Sequence, residues 1–405
     1  MFICDFHLHS KYSRATSSNM DLENLSFWAK RKGINLLGTG DFTHPIWLEE
    51  LKKKLKPAGE GIYEYDAIKF ILTAEVCNIF AKKGKIKKIH NVIFLPSLNK
   101  VLKLNERLER FGELGVDGRP ILHLEAAELV KIVGGIEPSG FVVPAHIWTP
   151  HFSIFGANSG FDTIFEGYGK ETKNIFALET GLSSDPPMNW RLSTLDNYTL
   201  ISNSDAHSPS RIGREANVFK EPLDYPGIRQ VLEKKDREKF LYTIEYFPQE
   251  GKYHFDGHRN CKACLSPEES GKNQNRCPVC GKQVTIGVMH RIVDLADREE
   301  NFVPANSIPC KHLIPLEQII ASVLKKGVAS KTVQDQYLQV INRMGSELEV
   351  LLEVSGGELT GNLPADLARA IIKARKGELN LRPGYDGEYG KVEIPLGEGQ
   401  QQRLF

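Results

Sequence analysis

Along the first 245 residues, short apolar runs rich in β-branched residues alternate with amphipathic stretches. FICDF runs into His7 and His9, INLLGTG into Asp41, KFILTA into Glu75 and GFVVPA into His146. NVIFLP follows His90, IFALET ends in Glu179, and TLISNS runs into Asp205 and His207. Between them lie DLENLSFWAKRKG, LHLEAAELVKIVGG and PLDYPGIRQVLEKK, whose apolar residues recur at helical spacing. Strand-length runs alternating with helix patterns predict βα units on a mainly parallel sheet. About seven such strands predict an α/β fold, either a closed barrel or a doubly wound sheet.

The texture changes after about residue 245. Residues 246–290 are polar, turn-rich and too poor in apolar runs to build a core of their own size. Residues 291–395 read as mainly helical, with LEQIIASVLKKG, KTVQDQYLQVINRMGSELEVLLEV and LPADLARAIIKARKGEL as amphipathic stretches. Residues 396–405 read as a tail. The expected organisation is therefore an α/β unit (1–245), a small cysteine module (246–290), a helical domain (291–395) and the tail (396–405).

Composition narrows the class. The 405 residues are 41% hydrophobic and 25% charged, which excludes a disordered or collagen-like chain. With 52 basic and 51 acidic residues the net charge is +1, so a nucleic-acid surface has to come from a local patch. No apolar run reaches the roughly 18–20 residues of a membrane span, and MFICDFHLHS lacks a basic signal-peptide start. The expectation is a soluble, intracellular protein of the cytoplasm.

The polar residues at the strand ends carry the chemistry. In α/β barrels the C-terminal strand ends converge on the active site. His7 and His9, two apart on extended chain, share one side, and Asp205 with His207 repeats the spacing. Asp5, two residues earlier, is placed to support one ring. Asp41, Glu75, His90 and His146 complete a set of imidazoles and carboxylates too large for one tetrahedral ion. The set predicts two or three divalent ions with Glu75 as bridge, and a reaction class of metal-assisted phosphoester hydrolysis.

Cysteines add a second metal site. Cys261-x-x-Cys264 and Cys277-x-x-Cys280 have the spacing of a closed Zn²⁺ site, and a polar segment of this size needs the metal to fold. Nearby basic residues, Arg259 among them, make the module a candidate DNA-contact surface.

The set His7-x-His9, Glu75, His90, His146 and Asp205-x-His207 resembles the polymerase and histidinol phosphatase (PHP) metallo-phosphoesterases. That resemblance implies a distorted (βα)₇ barrel with a trinuclear centre at its mouth. It assigns His7, His9, Glu75 and Asp205 to one ion and to catalysis. It assigns Glu75, His90 and His146 to the second ion and His207 to the third. The histidine that the family commonly carries soon after its HxH motif is missing from SKYSRATSS. The usual Asp-His pair is replaced by Asp41-Phe42-Thr43-His44.

A PHP-like barrel followed by GKYHFDGHRNCKACLSP, and later by LRPGYDGEYGKV, resembles the archaeal endonuclease Q family over nearly the whole chain. The resemblance implies nicking of double-stranded DNA 5′ to uracil, hypoxanthine, xanthine or an abasic site, leaving 3′-hydroxyl and 5′-phosphate. It implies structural Zn²⁺ and two or three catalytic Zn²⁺, Mn²⁺ or Mg²⁺ ions. Aromatic residues after His146, namely Trp148, Phe152 and Tyr168, are candidates to touch a base turned out of the stack. Gln401 and Leu404 resemble the start of a peptide that binds the sliding clamp PCNA. The alternatives are another PHP phosphoesterase, either a phosphatase or a polymerase-associated nuclease, and a non-catalytic zinc-organised DNA-binding protein.

Overall fold

The computed structural model, which describes residues 1–396, shows a mixed α/β protein. The strands that frame the site are β1 (Phe2–Asp5), β2 (Leu36–Gly38), β3 (Ile68–Lys82), β4 (Lys85–Leu95), β5 (Phe141–Pro144), β6 (Ala177–Glu179), β7 (Thr199–Ile201), β8 (Ala216–Phe219), β9 (Phe240–Glu245) and β10 (Cys310–His312). β1, β2 and β3 are parallel neighbours. β3 and β4 then form a long antiparallel hairpin, and β5 pairs antiparallel with β4. Backbone bonds lead onward, from Ile147 N–H to Glu179 and from Thr180 N–H to Ile201. A bridge between Leu8 and Ala206 returns the path to the end of β1.

The sheet is mixed, not mainly parallel as the alternation suggested. One cause is the β3–β4 turn. Lys83 and Gly84 both have positive φ (50° and 73°), the geometry of a two-residue hairpin turn whose twist matches its strands. No helix therefore separates Glu75 from His90. The second cause is the antiparallel pair β8 and β9 on the far side of β1, two strands the alternation did not predict.

Alternating side chains build the interior core. Phe2, Cys4 and Phe6 lie with Ile71, Val92, Phe94, Phe141, Val143, Ala177, Ile201 and Phe219 in one buried cluster. Phe6 meets Phe94 edge-on at 5.7 Å, and Phe94 stacks on Phe141 at 4.4 Å. A second, larger cluster joins the outer strand faces to the flanking helices. Asp5 does not support a histidine ring. It accepts from the N–H groups of Ser204 (3.0 Å) and Gly213 (2.8 Å), tying the chain after β7 to β1. Burial pushes its carboxyl up to about 6 despite these bonds.

The segments after residue 245 are not separate beads. β10 adds to β9 in parallel, so residues 310–312 belong to the main sheet. A hairpin, Asn380–Arg382 with Lys391–Glu393, brings the far end of the chain to the cysteine module, where Asp386 accepts from Arg259 N–H and from Thr285 Oγ1. The amphipathic stretch KTVQDQYLQVINRMGSELEVLLEV forms two helices, Lys331–Met344 and Glu347–Leu352. Gly345 has φ 101°, and Ser346 with Glu349 forms a capping box that restarts the helix. Among the described residues no helix is long and apolar enough to cross a membrane.

One buried ion pair joins the first unit to the last. Lys32, at the end of the helix Leu22–Lys32, lies 2.8 Å from Glu347, with both side chains 4% exposed. Glu347 also accepts from Tyr337 Oη (2.9 Å) and Leu316 N–H (3.0 Å). Removing one partner strands a buried charge, so Glu347→Ala should cost about 3–5 kcal/mol, read as a lowered urea midpoint. Lys32→Met with Glu347→Leu should regain most of that loss. An unchanged midpoint in the single variant would show that the pair does not lock the two units.

A pair of buried carboxylates makes a pH prediction. Burial, with Asp185 adding to it, pushes Glu245 up to about 8, although Thr243, Ser202 and Thr180 donate to it. Burial also raises Glu215, and Glu245 contributes to the rise. The folded state thus holds protons that the unfolded chain releases above its ordinary value of about 4.3. Stability should fall as pH rises from about 5 through about 8. Glu245→Gln should flatten this slope in thermal melts and raise Tm more at pH 8 than at pH 5.

Candidate metal centre

Glu75 is the hub of the site. It sits inside the β3–β4 hairpin opposite Val92, while Cys77 is opposite His90. Residues two apart share a face of the strand, so Glu75 and His90 are diagonal neighbours on that face. His90 Nδ1 lies 2.7 Å from Glu75 Oε1 and His146 Nε2 lies 3.1 Å from the same oxygen. The other oxygen, Oε2, is 3.2 Å from His9 Nε2 and 3.5 Å from His7 Nε2. Asp205 Oδ1 is 3.0 Å from His9 Nε2.

Two donor groups result, each with ligating atoms within 4.8 Å of one another. One is His7, His9, Glu75 and Asp205; the other is Glu75, His90 and His146. His7 Nε2 is buried without a hydrogen-bond partner, as a metal-facing nitrogen would be. The residues present therefore fit two divalent ions sharing one carboxylate, the arrangement used in two-metal hydrolysis.

Supporting carboxylates orient the rings. Glu179 holds His7 Nδ1 from both oxygens at 3.0 Å, and Asp41 holds His9 Nδ1 at 3.1 Å. Each ring then presents Nε2 to the centre. Asp41, expected as a ligand, stands behind His9 and is itself bonded to Ser10 and Ser13. The backbone is left-handed at Asp41 (φ 50°), His146 (φ 30°) and Asp205 (φ 47°), conformations that non-glycine residues hold at a cost and that concentrate at functional sites.

Charge follows geometry. Burial opposes ionisation of Glu75, but His90, Arg119 and His7 hold its carboxyl well below the usual range. Burial likewise opposes Asp205, and His9 and His7 hold it low. His7 and His9 stay protonated well above the ordinary imidazole value, despite burial, because carboxylates surround them. Those are the protons that a bound ion would displace.

His207 belongs to neither group. Its Nδ1 turns back to the carbonyl of Asp205 at 2.9 Å, and its ring packs on His9 with centroids 4.5 Å apart. Among the described residues no third donor group forms beside these two. His44 also stands outside them, stacked on Tyr12.

A cavity of about 480 Å³ opens onto the centre. His90, His146, Asp205 and Arg119 line it beside Cys77, Ile121, Phe152, Leu182 and Tyr253. Phe152 stacks on His90 at 4.9 Å. Trp148 and Tyr168, expected at the DNA surface, are core residues. Trp148 is 1% exposed, donates to Asn189 and stacks on Phe155, and Tyr168 donates to Asn91 deep under the sheet. Their place after His146 in sequence suggests a base contact, but burial of large rings is the stronger tendency. The strand-end pattern carried no signal for Arg119, which reaches the centre from an irregular loop.

In the cysteine module His258, Cys261, Cys277 and Cys280 place their donor atoms within 4.8 Å of one another. Cys264, expected as the fourth ligand, points instead to the carbonyl of Pro383 at 3.9 Å. The strand pairing explains this arrangement. Asp256–His258 runs antiparallel to Ala263–Leu265, so His258 sits at the turn end facing the Cys277–Cys280 knuckle. Ala263, Leu265, Cys277 and Val284 give the module a core of its own. Arg259 is exposed on the same unit.

Comparison with known proteins agrees with this geometry. The structure of the lesion-specific endonuclease PfuEndoQ from Pyrococcus furiosus is 32% identical, with a TM-score of 0.88 over 98% of this chain and 97% of that one. The chain belongs to the endonuclease Q family. A second endonuclease Q structure, in complex with a 27-mer duplex carrying an abasic lesion at the active site, is 33% identical. Its TM-score is 0.87 over 97% of this chain and 96% of that one. The uncharacterized protein YqxK of Bacillus subtilis is 31% identical over 377 residues, 90% of each chain. Residues 315–378 match the family described as the MJ0043 C-terminal domain.

The module's donor set is directly testable. Cys264→Ser should leave metal content, measured by mass spectrometry, unchanged. His258→Ala or Cys277→Ser should each lose one equivalent. Loss from Cys264→Ser with retention in His258→Ala would reverse the assignment.

Proposed function

We propose that this endonuclease Q member nicks double-stranded DNA on the 5′ side of a deaminated base or an abasic site, in DNA repair. The chain is a metal-dependent DNA endonuclease. The observation that carries the finer reading is the pair of donor groups sharing Glu75 at the mouth of a largely apolar cavity. We read the ring of strands around it as a distorted (βα)₇ PHP barrel, which the backbone bonds from β5 through β7 back to β1 support.

The two donor groups sharing Glu75 would hold two divalent ions, Zn²⁺, Mn²⁺ or Mg²⁺, which would supply water activation and positive charge for the phosphoryl oxygens. The chain's own residues prepare for that. Glu179 and Asp41 lock the tautomers of His7 and His9. Burial, which pushes His90 down to about 4, keeps that imidazole neutral and able to ligate. The cavity wall of Cys77, Ile121, Phe152 and Leu182 would shelter a turned-out nucleotide from water. Extrusion costs a few kcal/mol, least at a mispaired or missing base, so lesions are selected by their ease of opening.

A small-molecule phosphatase would need none of the later segments. Here they border the site. Tyr253 lines the cavity, and Arg291 binds the carbonyls of Phe155 and Phe161 in the loop that follows His146. We assign structural Zn²⁺ to the cysteine module and a DNA-gripping role to it and to the helical part, with Arg259 and Phe152 as contacts. Binding of PCNA through Gln401 and Leu404 belongs to the same proposal, and those residues lie outside the described residues.

Glu75→Gln and Asp205→Asn should each lower nicking of an abasic or deoxyuridine duplex by more than about 100-fold, since loss of a ligand's supporting partner alone reaches that scale. Affinity for the same duplex should persist in a gel-shift assay. Cleavage of undamaged duplex at an equal rate, or near-normal nicking by either variant, would sink the reading.

A further inference from the structure

Arg119 stands at the metal centre and cannot itself ligate a metal. Its Nη1 donates to Glu75 Oε2 at 3.1 Å, the carboxylate shared by both donor groups. The loop that delivers it is pinned on three sides. Gly118 N–H donates to the Tyr12 carbonyl and Thr43 Oγ1 donates to the Gly118 carbonyl. Asp117 Oδ1 accepts from the N–H groups of Arg14 and Arg119, and Cys77 N–H in β3 donates to the Pro120 carbonyl. A Cβ at Gly118 would collide with Asp41 and Ser13, so only glycine lets the loop lie this close to the His9 support.

A guanidinium has five N–H donors. Among the described residues the Arg119 side chain spends one of them, on Glu75. None of its nitrogens is buried without a partner, and the residue lines the cavity with Asp205, His90 and His146. Its remaining donors therefore open to the space that also meets the metal ligands. A planar fork of N–H groups held rigidly beside such a space is suited to a tetrahedral oxyanion, above all a phosphate.

We propose that Arg119 is a catalytic residue of this centre, binding a non-bridging oxygen of the scissile phosphate and supplying the positive charge of a third cation. The proposal rests on the endonuclease reading above. In hydrolysis, water oxygen bonds to phosphorus, the bond from phosphorus to O3′ breaks, and the proton lost by water is matched by one gained at O3′. Charge accumulates on the non-bridging oxygens as this occurs. A donor already fixed in place stabilises it without reorganising. Among the described residues no third donor group forms beside the two, and His207 turns to its own backbone, while the guanidinium is already fixed on the shared carboxylate.

The test separates substrate contact from mere support of Glu75. Arg119→Ala should lower kcat on an abasic duplex by about 10²–10³-fold, the scale of losing one oxyanion donor. Arg119→Lys, which keeps the charge but loses the fork, should recover part of this. Metal content of both variants should equal that of the wild type. With the two diastereomers of a methylphosphonate at the scissile position tested separately, Arg119→Ala and wild type should cut at similar rates on the one that lacks the oxygen Arg119 holds. Inorganic phosphate should bind metal-loaded Arg119→Ala roughly tenfold or more weakly by calorimetry. Loss of metal in Arg119→Ala, or an undiminished gap on both methylphosphonate diastereomers, would reduce Arg119 to a support for Glu75 and overturn the proposal. If the wild type cuts no lesion duplex, the endonuclease reading fails, and unchanged phosphate affinity in Arg119→Ala would still overturn the role of Arg119 by itself.

Discussion

A single buried carboxylate sets the terms for the rest of the molecule. Glu75 lies in the low-dielectric interior of a long hairpin, where an isolated charge is very costly. It persists because four imidazoles and one guanidinium converge on it. Those partners come from the segment after β1, the β3–β4 hairpin, the loop after β5 and the loop ending at Pro120. The compact ring of strands is thus the condition for Glu75 to be ionised, and an ionised Glu75 is the condition for two ions to share a ligand.

Around that hub the polar groups form layers with distinct tasks. The inner layer is the candidate donor set; the outer one, Glu179 and Asp41, holds its imidazoles. Outside both lies the interior aromatic stack of Phe6, Phe94 and Phe141, which fixes the strands that carry the ligands. Left-handed backbone at three site residues shows where packing overrides local preference. The segments beyond residue 245 extend the same scaffold. β10 joins the main sheet, the Lys32–Glu347 pair anchors the last helices, and the hairpin Asn380–Arg382 with Lys391–Glu393 closes over the cysteine module.

The site was legible where local spacing carries the message. His7 with His9, and Cys277-x-x-Cys280, are read from strand period and knuckle spacing, because both partners lie on one short segment. Legibility failed where a residue acts from a distance. Glu179 and Asp41 look alike as acidic strand ends, yet both support histidines and neither belongs to a donor group. Cys264 fits a cysteine pair by spacing, but the pairing of Asp256–His258 with Ala263–Leu265 turns it toward Pro383 and leaves His258 beside the other thiols. Trp148 and Tyr168 follow a ligand in sequence, but their bulk takes them into the core.

By itself, the order of residues determined the fold class, the existence of two metal-competent sets and the identity of most of their members. These depend on hydrophobic period and on the chemistry of side chains, both local properties. Tertiary structure alone decided that the sheet is mixed, that Asp41 stands behind His9 as a support, and that Arg119 joins the centre. Each of these rests on contacts between segments tens to hundreds of residues apart. Such contacts are set by strand register and loop closure, which no short window of sequence contains.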